Sequence, residues 1–475
     1  MTAPNPLDGP YVSPRIFSPQ YRTASLGIVL VVTLIAFEGM SMGAVMPAVS
    51  AELDALDLYG WSFSAFLMSC LFSNVVAGMW SDRRGHAVPF LLGVALFIVG
   101  MLLAGVAQDK GVFILARAVQ GLGAGAVMVA IYVMIARVYS PEARPKIFAA
   151  LSGAWVVPAL VGPSVAALIA DNAGWRWVFF GIVPLVVPAM IMLLPALRPG
   201  PEQSPEVPAA ERPERAAGLR TRPLLMTAAA TAAAIGAGLL LYGVDTVRQA
   251  LAFGGLAVLG GLALLAFGLP MLLPRRALRF GRGLPTTVMM RGVLCAAFFG
   301  VNSFIPLALN KVHGFSLTQA GVALTTGAIG WSLGSFLQTR RNADRVRLVR
   351  WGCVAVTSGI AVAVLAMVPG MTGWVVLPAW LLAGFGMGLA VSSVNVTTMR
   401  QSAEGEQGAN SAALQVTDTL GSSLTIGLGG ALINVAGHGS AQIATGFVVI
   451  AVLMTVVGAF GILVSGRMRE NSFAT

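Results

Sequence analysis

Three ionisable side chains stand where the surrounding sequence offers them no water. Glu38 sits at the centre of VTLIAFEGMSMGAVMP (32–47), with Arg22 and Glu52 the nearest charges on either side. Arg117 lies in LARAVQGLGAG (115–125), and Asp418 is the one charge in the otherwise uncharged run 408–435. A charge at the middle of a bilayer costs roughly 2.5–3.5 kcal/mol on the insertion scale for Asp, Lys or Arg. Such residues therefore need a reason. Burial favours the neutral form of a carboxyl, so a buried acid can take up a proton and release it when wetted. A guanidinium stays charged even when buried, and it needs an anionic or carbonyl partner. Glu38 is the first candidate for a proton-coupling site. Asp418 is the second, as another proton site or as the counter-charge for a cationic substrate, and Arg117 would sense or tune the carboxyl charge. Two acids against one base bias a cavity toward cationic or neutral lipophilic molecules.

Asp418 belongs to a polar stripe. Ser411, Gln415, Asp418, Ser422 and Thr425 are spaced by 4, 3, 4 and 3 residues, which places them on one helix face. Inside a membrane such a face must meet protein or water, so the stripe is a cavity wall or a hydrogen-bonded packing seam. Gln120, three residues after Arg117, shares its face. Asn302, Asn395, Ser69, Ser73, Asn74, Ser303 and Ser392 are weaker cavity candidates, and each reads more readily as an ordinary interhelical hydrogen bonder. Phe37 and Trp155 offer aromatic walls to a flat substrate, or simply pack. His86, His313 and His438 are far apart, and Cys70, Cys295 and Cys353 fall in apolar runs without metal-ligand spacing, so the reading is no metal site and free thiols.

The elements that must position these residues are membrane helices. The 475-residue chain is 57% hydrophobic and 10% charged, with mean hydropathy +0.82, whereas soluble domains carry about 25% charged residues. Apolar runs separated by short polar breaks give fourteen transmembrane helices, among them 176–197, 286–310, 351–369 and 408–435. The organisation is an N-terminal tail (1–22), a six-helix bundle (23–197), a linker rich in Pro, Glu and Arg (198–222), two extra helices (223–273), a second six-helix bundle (274–466) and a short C-terminal tail (467–475). The extra pair reads as peripheral and structural. A count of twelve helices, without that pair, remains the alternative. No cleavable signal peptide is visible. With the N-terminus inside, 25 of the 30 Lys and Arg fall on inner connections, tails and inner helix ends, against Lys110, Arg176, Arg248 and Lys311 outside. That asymmetry is the positive-inside pattern, so the net charge of +11 reads as topology and not as nucleic-acid binding. Both termini are then cytoplasmic.

Three motifs carry a family resemblance. GMWSDRRGH (78–86) resembles the loop motif of the major facilitator superfamily, Gly-x-Leu-Ala-Asp-Arg-x-Gly-Arg, with Gly78, Asp82, Arg83 and Gly85 matching. The resemblance implies a gate on the cytoplasmic side, where Asp82 can meet the helix start at 408 and the basic residues Arg137 and Arg144. LARAVQGLGAG resembles the fourth-helix motif Arg-x-x-Gln-Gly-x-Gly-Ala. WVVPALVGPSVAA (155–167) resembles the fifth-helix antiporter motif: Gly162 and Pro163 match, Pro158 stands where a leading Gly is common, and Ala166-Ala167 replaces a Gly pair. Aligned on Pro47, Glu38 falls where fourteen-helix drug:proton antiporters carry an Asp in the first helix, while Met40 and Gly43 replace its polar neighbours.

The resemblance implies an all-α polytopic membrane protein of the major facilitator fold, two six-helix bundles plus two helices. It implies a monomeric, proton-coupled exporter in the plasma membrane, driven by the proton gradient without a cofactor and acting on small lipophilic or cationic molecules. Proton-coupled uptake of a small metabolite is the alternative within transport. A membrane-embedded enzyme is the alternative outside it, although the chain carries no zincin helix or nucleophile elbow.

Overall fold

A backbone in hydrocarbon must satisfy its own polar groups, and a single chain segment does that as a helix. The computed structural model describes residues 16–140, 142–197, 223–247, 250–338, 344–403 and 406–469. Among the described residues, fourteen helical spans are long and apolar enough to cross a membrane: α1 Arg22–Glu52, α2 Leu56–Ser81, α3 Ala87–Val106, α4 Lys110–Val138, α5 Lys146–Ala173, α6 Arg176–Leu197, α7 Leu224–Thr246, α8 Leu251–Leu272, α9 Leu284–His313, α10 Leu317–Leu337, α11 Arg345–Met367, α12 Gly373–Gln401, α13 Gln407–Ala436 and α14 Ser440–Met468. The linker 198–222 and the outer parts of both tails lie outside the described residues.

Local chemistry sets the ends. The Asp109 carboxylate accepts from the Val112 amide to cap α4, and Ser316 with Gln319 forms a capping box on α10. Gly85 ends the helix of α2 at φ +87°, a conformation that disfavours any residue with a Cβ. α9 breaks between Asn302 and Ile305, just before Pro306, whose missing amide cannot continue the ladder. α11 begins six residues before the expected 351, because Asp344 accepts from the Val346 and Arg347 amides and so starts the helix at the charged stretch RVRLVR.

With fourteen crossings, the chain enters α1 and leaves α14 at the same face, here called the terminal face; the opposite one is the far face. α1–α6 pack among themselves, as do α9–α14. The bundles meet reciprocally: the second helix of each, α2 or α10, packs on the fifth helix of the other, α13 or α5. Glycine brings backbones together within each bundle. A Cβ at Gly330, Gly334, Gly384 or Gly388 would run into the backbone carbonyl of Leu381, Phe385, Gly327 or Trp331, so α10 and α12 lie backbone to backbone. α8 packs on α7, and α7 packs on both α2 and α13.

Contacts between the bundles gather toward the far face. The Ser64 hydroxyl donates to the Ser423 carbonyl (2.8 Å), the Tyr59 hydroxyl to the Ser303 carbonyl (3.1 Å), and Ser164 and Thr325 share a hydrogen bond of 3.0 Å. Asp171 accepts from the amide and hydroxyl of Thr318. Toward the terminal face, Ser411, Gln415 and Asn395 are exposed and Trp155 keeps 37% of its surface. The seam is shut at the far face and parts toward the terminal face.

Candidate functional site: two ion pairs in the bundles

Glu38 and Arg117 form an ion pair between α1 and α4, each only 2% exposed. Arg117 Nη1 donates to Glu38 Oε1 and, at 2.5 Å, to Gln120 Oε1, while Nε donates to the Ser62 carbonyl at 3.1 Å. The guanidinium also stacks on the Phe66 ring, 4.6 Å from its centroid. Gln120 continues the network by donating to the Met101 sulfur. Small residues make the site dry. A Cβ on Gly100 would overlap the backbone and Cβ of Gln120, and one on Gly121 would overlap the Phe66 carbonyl, so α3 and α2 close directly over the pair. One atom is left over. Glu38 Oε2 is buried and has no hydrogen-bond partner.

The second pair joins α9 to α13. Arg291 donates through Nε (2.9 Å) and Nη2 (2.6 Å) to one oxygen of Asp418, Oδ2. Its Nη1 reaches Asn395 Oδ1 of α12 at 3.5 Å. The Cys295 thiol lies against both members, and Cys70 of α2 is within electrostatic reach of Asp418. This pair is not sealed: the Arg291 and Asp418 side chains are 18% and 16% exposed. One bundle thus holds a fully buried pair and the other a partly exposed one.

The description of the Major Facilitator Superfamily matches residues 28–300 and 288–426, most of the chain. The chain belongs to the major facilitator superfamily. Among curated relatives, multidrug resistance protein 3 of Bacillus subtilis is 24% identical over 336 residues, 68% of this chain and 63% of that protein. The multidrug transporter MdtP of the same organism is 22% identical over 333 residues, 66% of this chain and 56% of that one. The chain thus spans less than two thirds of the length of these relatives. A probable multidrug-efflux transporter of Mycobacterium tuberculosis is 25% identical over 446 residues, 89% of each chain. The fold also matches that of a bacterial homologue of the human lysosomal transporter Spinster, in an inward-facing and occupied conformation, with TM-score 0.65 at 14% identity over 96% of this chain and 99% of that one. With its apolar helical spans, this member of the superfamily is a multi-pass integral membrane protein.

Within the major facilitator frame, the expected residues fall into three groups. Glu38, Arg117 and Gln120 come together, but Gln120 is fully buried and serves Arg117, so it lines no cavity. Asp418, Gln415, Ser411 and Asn395 share the parted side of the seam. Ser422 and Thr425 do not: Ser422 is 4% exposed, and the Thr425 hydroxyl bonds to the Ala296 and Gly421 carbonyls, so the outer end of the stripe is a packing seam. Asn302 accepts from the Trp380 indole at 2.9 Å and acts as a packing residue. Phe37 lies half-buried against Gly162 of α5.

The gate residues are divided as well. The side chains of Asp82 and Arg83 fall outside the described residues. Gly78 is half-buried, and Gly85 packs near the Arg137 guanidinium. Arg144 donates to the Tyr139 and Ala136 carbonyls at the end of α4, so those donors cap a helix. Pro158 and Pro163 both stand inside a continuous helix. The close approach of α5 is made by the Pro163 carbonyl, 2.9 Å from where a Cβ on Gly321 would be, while a Cβ at Gly162 would meet ordinary contacts of 3.5–3.6 Å.

Arg291 is the residue that sequence reasoning missed. Seven positions into α9, it reads as a basic helix flank at the inner membrane surface. The signal that could have found it is Asp418, a buried acid that requires a base. Its presence corrects the charge count to two acids and two bases, and it removes the net negative bias expected of the cavity.

Proposed function

We propose that this transporter is a proton-coupled exporter of small lipophilic or cationic molecules, working by alternating access in the plasma membrane with both termini in the cytoplasm. The observation that carries the proposal is the half-used Glu38 carboxyl. Oε1 is held by Arg117, whereas Oε2 is buried without a partner. An unpaired buried acceptor costs about 1–3 kcal/mol, more when it is charged. A proton delivered to that oxygen would weaken the hold on Arg117 and leave the guanidinium to Gln120 Oε1 and the Ser62 carbonyl. Proton occupancy and helix packing are thereby linked at one atom.

The basic residues on connections between spans support placing the terminal face in the cytoplasm. The seam that parts there then corresponds to the inward-open stage. In that stage Glu38 is closed from water and Asp418 is wetted, so substrate and the second acid share a compartment that the first acid does not. The names of the multidrug relatives and the α5 motif support export over uptake. A neutral pair in the groove fits neutral lipophilic molecules, and a cation must compete with Arg291 for Asp418.

The test is reconstitution in liposomes with a pH gradient as the only driving force. Glu38→Gln, nearly isosteric and unable to titrate, is expected to reduce gradient-driven transport to background while leaving substrate exchange measurable. Full gradient-driven transport by this variant would remove Glu38 as the coupling residue.

A further inference from the structure

The far-face seal draws in a third body. Asn434, near the end of α13, donates through one nitrogen to two acceptors: the Asp57 carbonyl at the start of α2 (2.5 Å) and Asp245 Oδ1 near the end of α7 (3.1 Å). Asp57 is in turn bound by Lys110 of α4 at 2.6 Å. The chain of contacts Lys110–Asp57–Asn434–Asp245 therefore links one bundle, the other bundle and the extra helix pair. Beside it the backbones touch. A Cβ at Gly60 would stand 2.8 Å from the Ile426 carbonyl and 3.0 Å from Gly430 Cα, and one at Gly430 would stand 2.8 Å from Gly60 Cα. α7 lies across this junction, with Leu241 against Gly427 of α13 and Gly238 against Met68 of α2.

We propose that Asn434 is the positioning residue of the far-face seal, and that the extra pair acts through Asp245 as a strap across the seam, holding the transporter open toward the terminal face. The inference rests on the alternating-access reading above. When α2 and α13 separate at the far face, Asn434 must release Asp57, and α7 must leave one of the two helices it touches. The strap is built to let go. Asp57 Oδ1 and Asn434 Oδ1 are buried there without partners, and unpaired acceptors raise the free energy of the closed junction.

Spin labels at Ala173→Cys and His438→Cys, exposed far-face positions in the two bundles, report the opening by double electron–electron resonance on the full chain in lipid nanodiscs, with the native cysteines replaced. Asn434→Ala and Asp245→Ala are each expected to raise the long-distance population several-fold over the parent protein. Thr445→Ala, whose hydroxyl bonds only within α14, is expected to leave it unchanged. Gly60→Val forces the helices apart by sterics and serves as the positive control. If Gly60→Val lengthens the distance while either Asn434→Ala or Asp245→Ala leaves the distribution untouched, the strap is refuted and alternating access stands. If no variant, including Gly60→Val, populates a second distance, the bundles do not rock and both readings fail. Monodisperse elution of each variant separates these outcomes from misfolding.

Discussion

Arg291 places two of its nitrogens on the same oxygen of Asp418, so the pair meets side-on at one carboxylate oxygen. A side-on pair of this kind, at 16–18% exposure, is open to competition from the groove. Asp418→Asn and Arg291→Gln are each expected to lower transport by about tenfold, equal to about 1.4 kcal/mol. Exchanging the two, as Arg291→Asp with Asp418→Arg, should recover part of the loss. Initial rates in liposomes check this, and a swap no better than either single variant would show that the pair acts by something other than mutual charge.

The fully buried pair should behave differently. Removing one member of a buried ion pair costs about 3–5 kcal/mol, because the survivor is left uncompensated. Arg117→Ala is therefore expected to lower the unfolding midpoint of detergent-purified protein markedly. Adding Glu38→Gln to it should return most of the lost stability without restoring gradient-driven transport. Thermal unfolding of the single and double variants measures the difference. Equal midpoints in both would argue that the loss comes from missing Arg117 packing and not from a stranded carboxylate.

The split stripe on α13 predicts a graded thiol pattern. In a background lacking Cys70, Cys295 and Cys353, cysteines at 411 and 415 should react fast with a membrane-impermeant reagent, and 418 more slowly. Positions 422 and 425 should be silent, like the buried 413 and 417. The thiolate is the reactive form and hardly arises away from water, so the contrast should exceed tenfold. Rapid labelling at 422 would show that water reaches past Asp418.

Asp344 gives a prediction about pH. Burial alone would raise its pKa, but the Arg347 amide, the Arg469 guanidinium and the Val346 amide outweigh burial and hold the carboxyl below its usual range. A lowered folded-state pKa contributes stability above the unfolded value and loses it as pH falls through the folded one. The link between the start of α11 and Arg469 is thus intact at neutral pH and should loosen only below about pH 4. A fluorophore on the C-terminal tail should show increased mobility in that range, and in Asp344→Ala at all pH values.

Much of this architecture is readable from the sequence, because hydropathy alone marks helices in a bilayer. The boundary of α11 was not, since RVRLVR looks like a polar connection until Asp344 is recognised as its cap. Helical spacing puts Arg117 with Gln120, which share a hydrogen bond, and Ser411 with Thr425 on one face. It could not say what covers each face. Gly100 lets α3 close over Gln120, and the far-face junction closes over Ser422; both depend on how closely a neighbouring helix approaches. Arg291 was hidden for a related reason, since its partner is 127 residues away.

The glycine contact between α10 and α12 has a mechanical consequence. With carbonyls meeting glycines at four levels, backbone contact rather than interchangeable side-chain packing sets the register of the two helices. The two helices form a stiff plate. The 21-residue α10 alone is about 31 Å long. Such a plate can swing but cannot shear, and its supporting edge is the α5 crossing, where Asp171 grips Thr318 and Ser164 grips Thr325. A small tilt at that rim is magnified by leverage at the other end, so an ångström given up near Thr318 becomes several beside Asn395, where Arg291 must choose its acceptor.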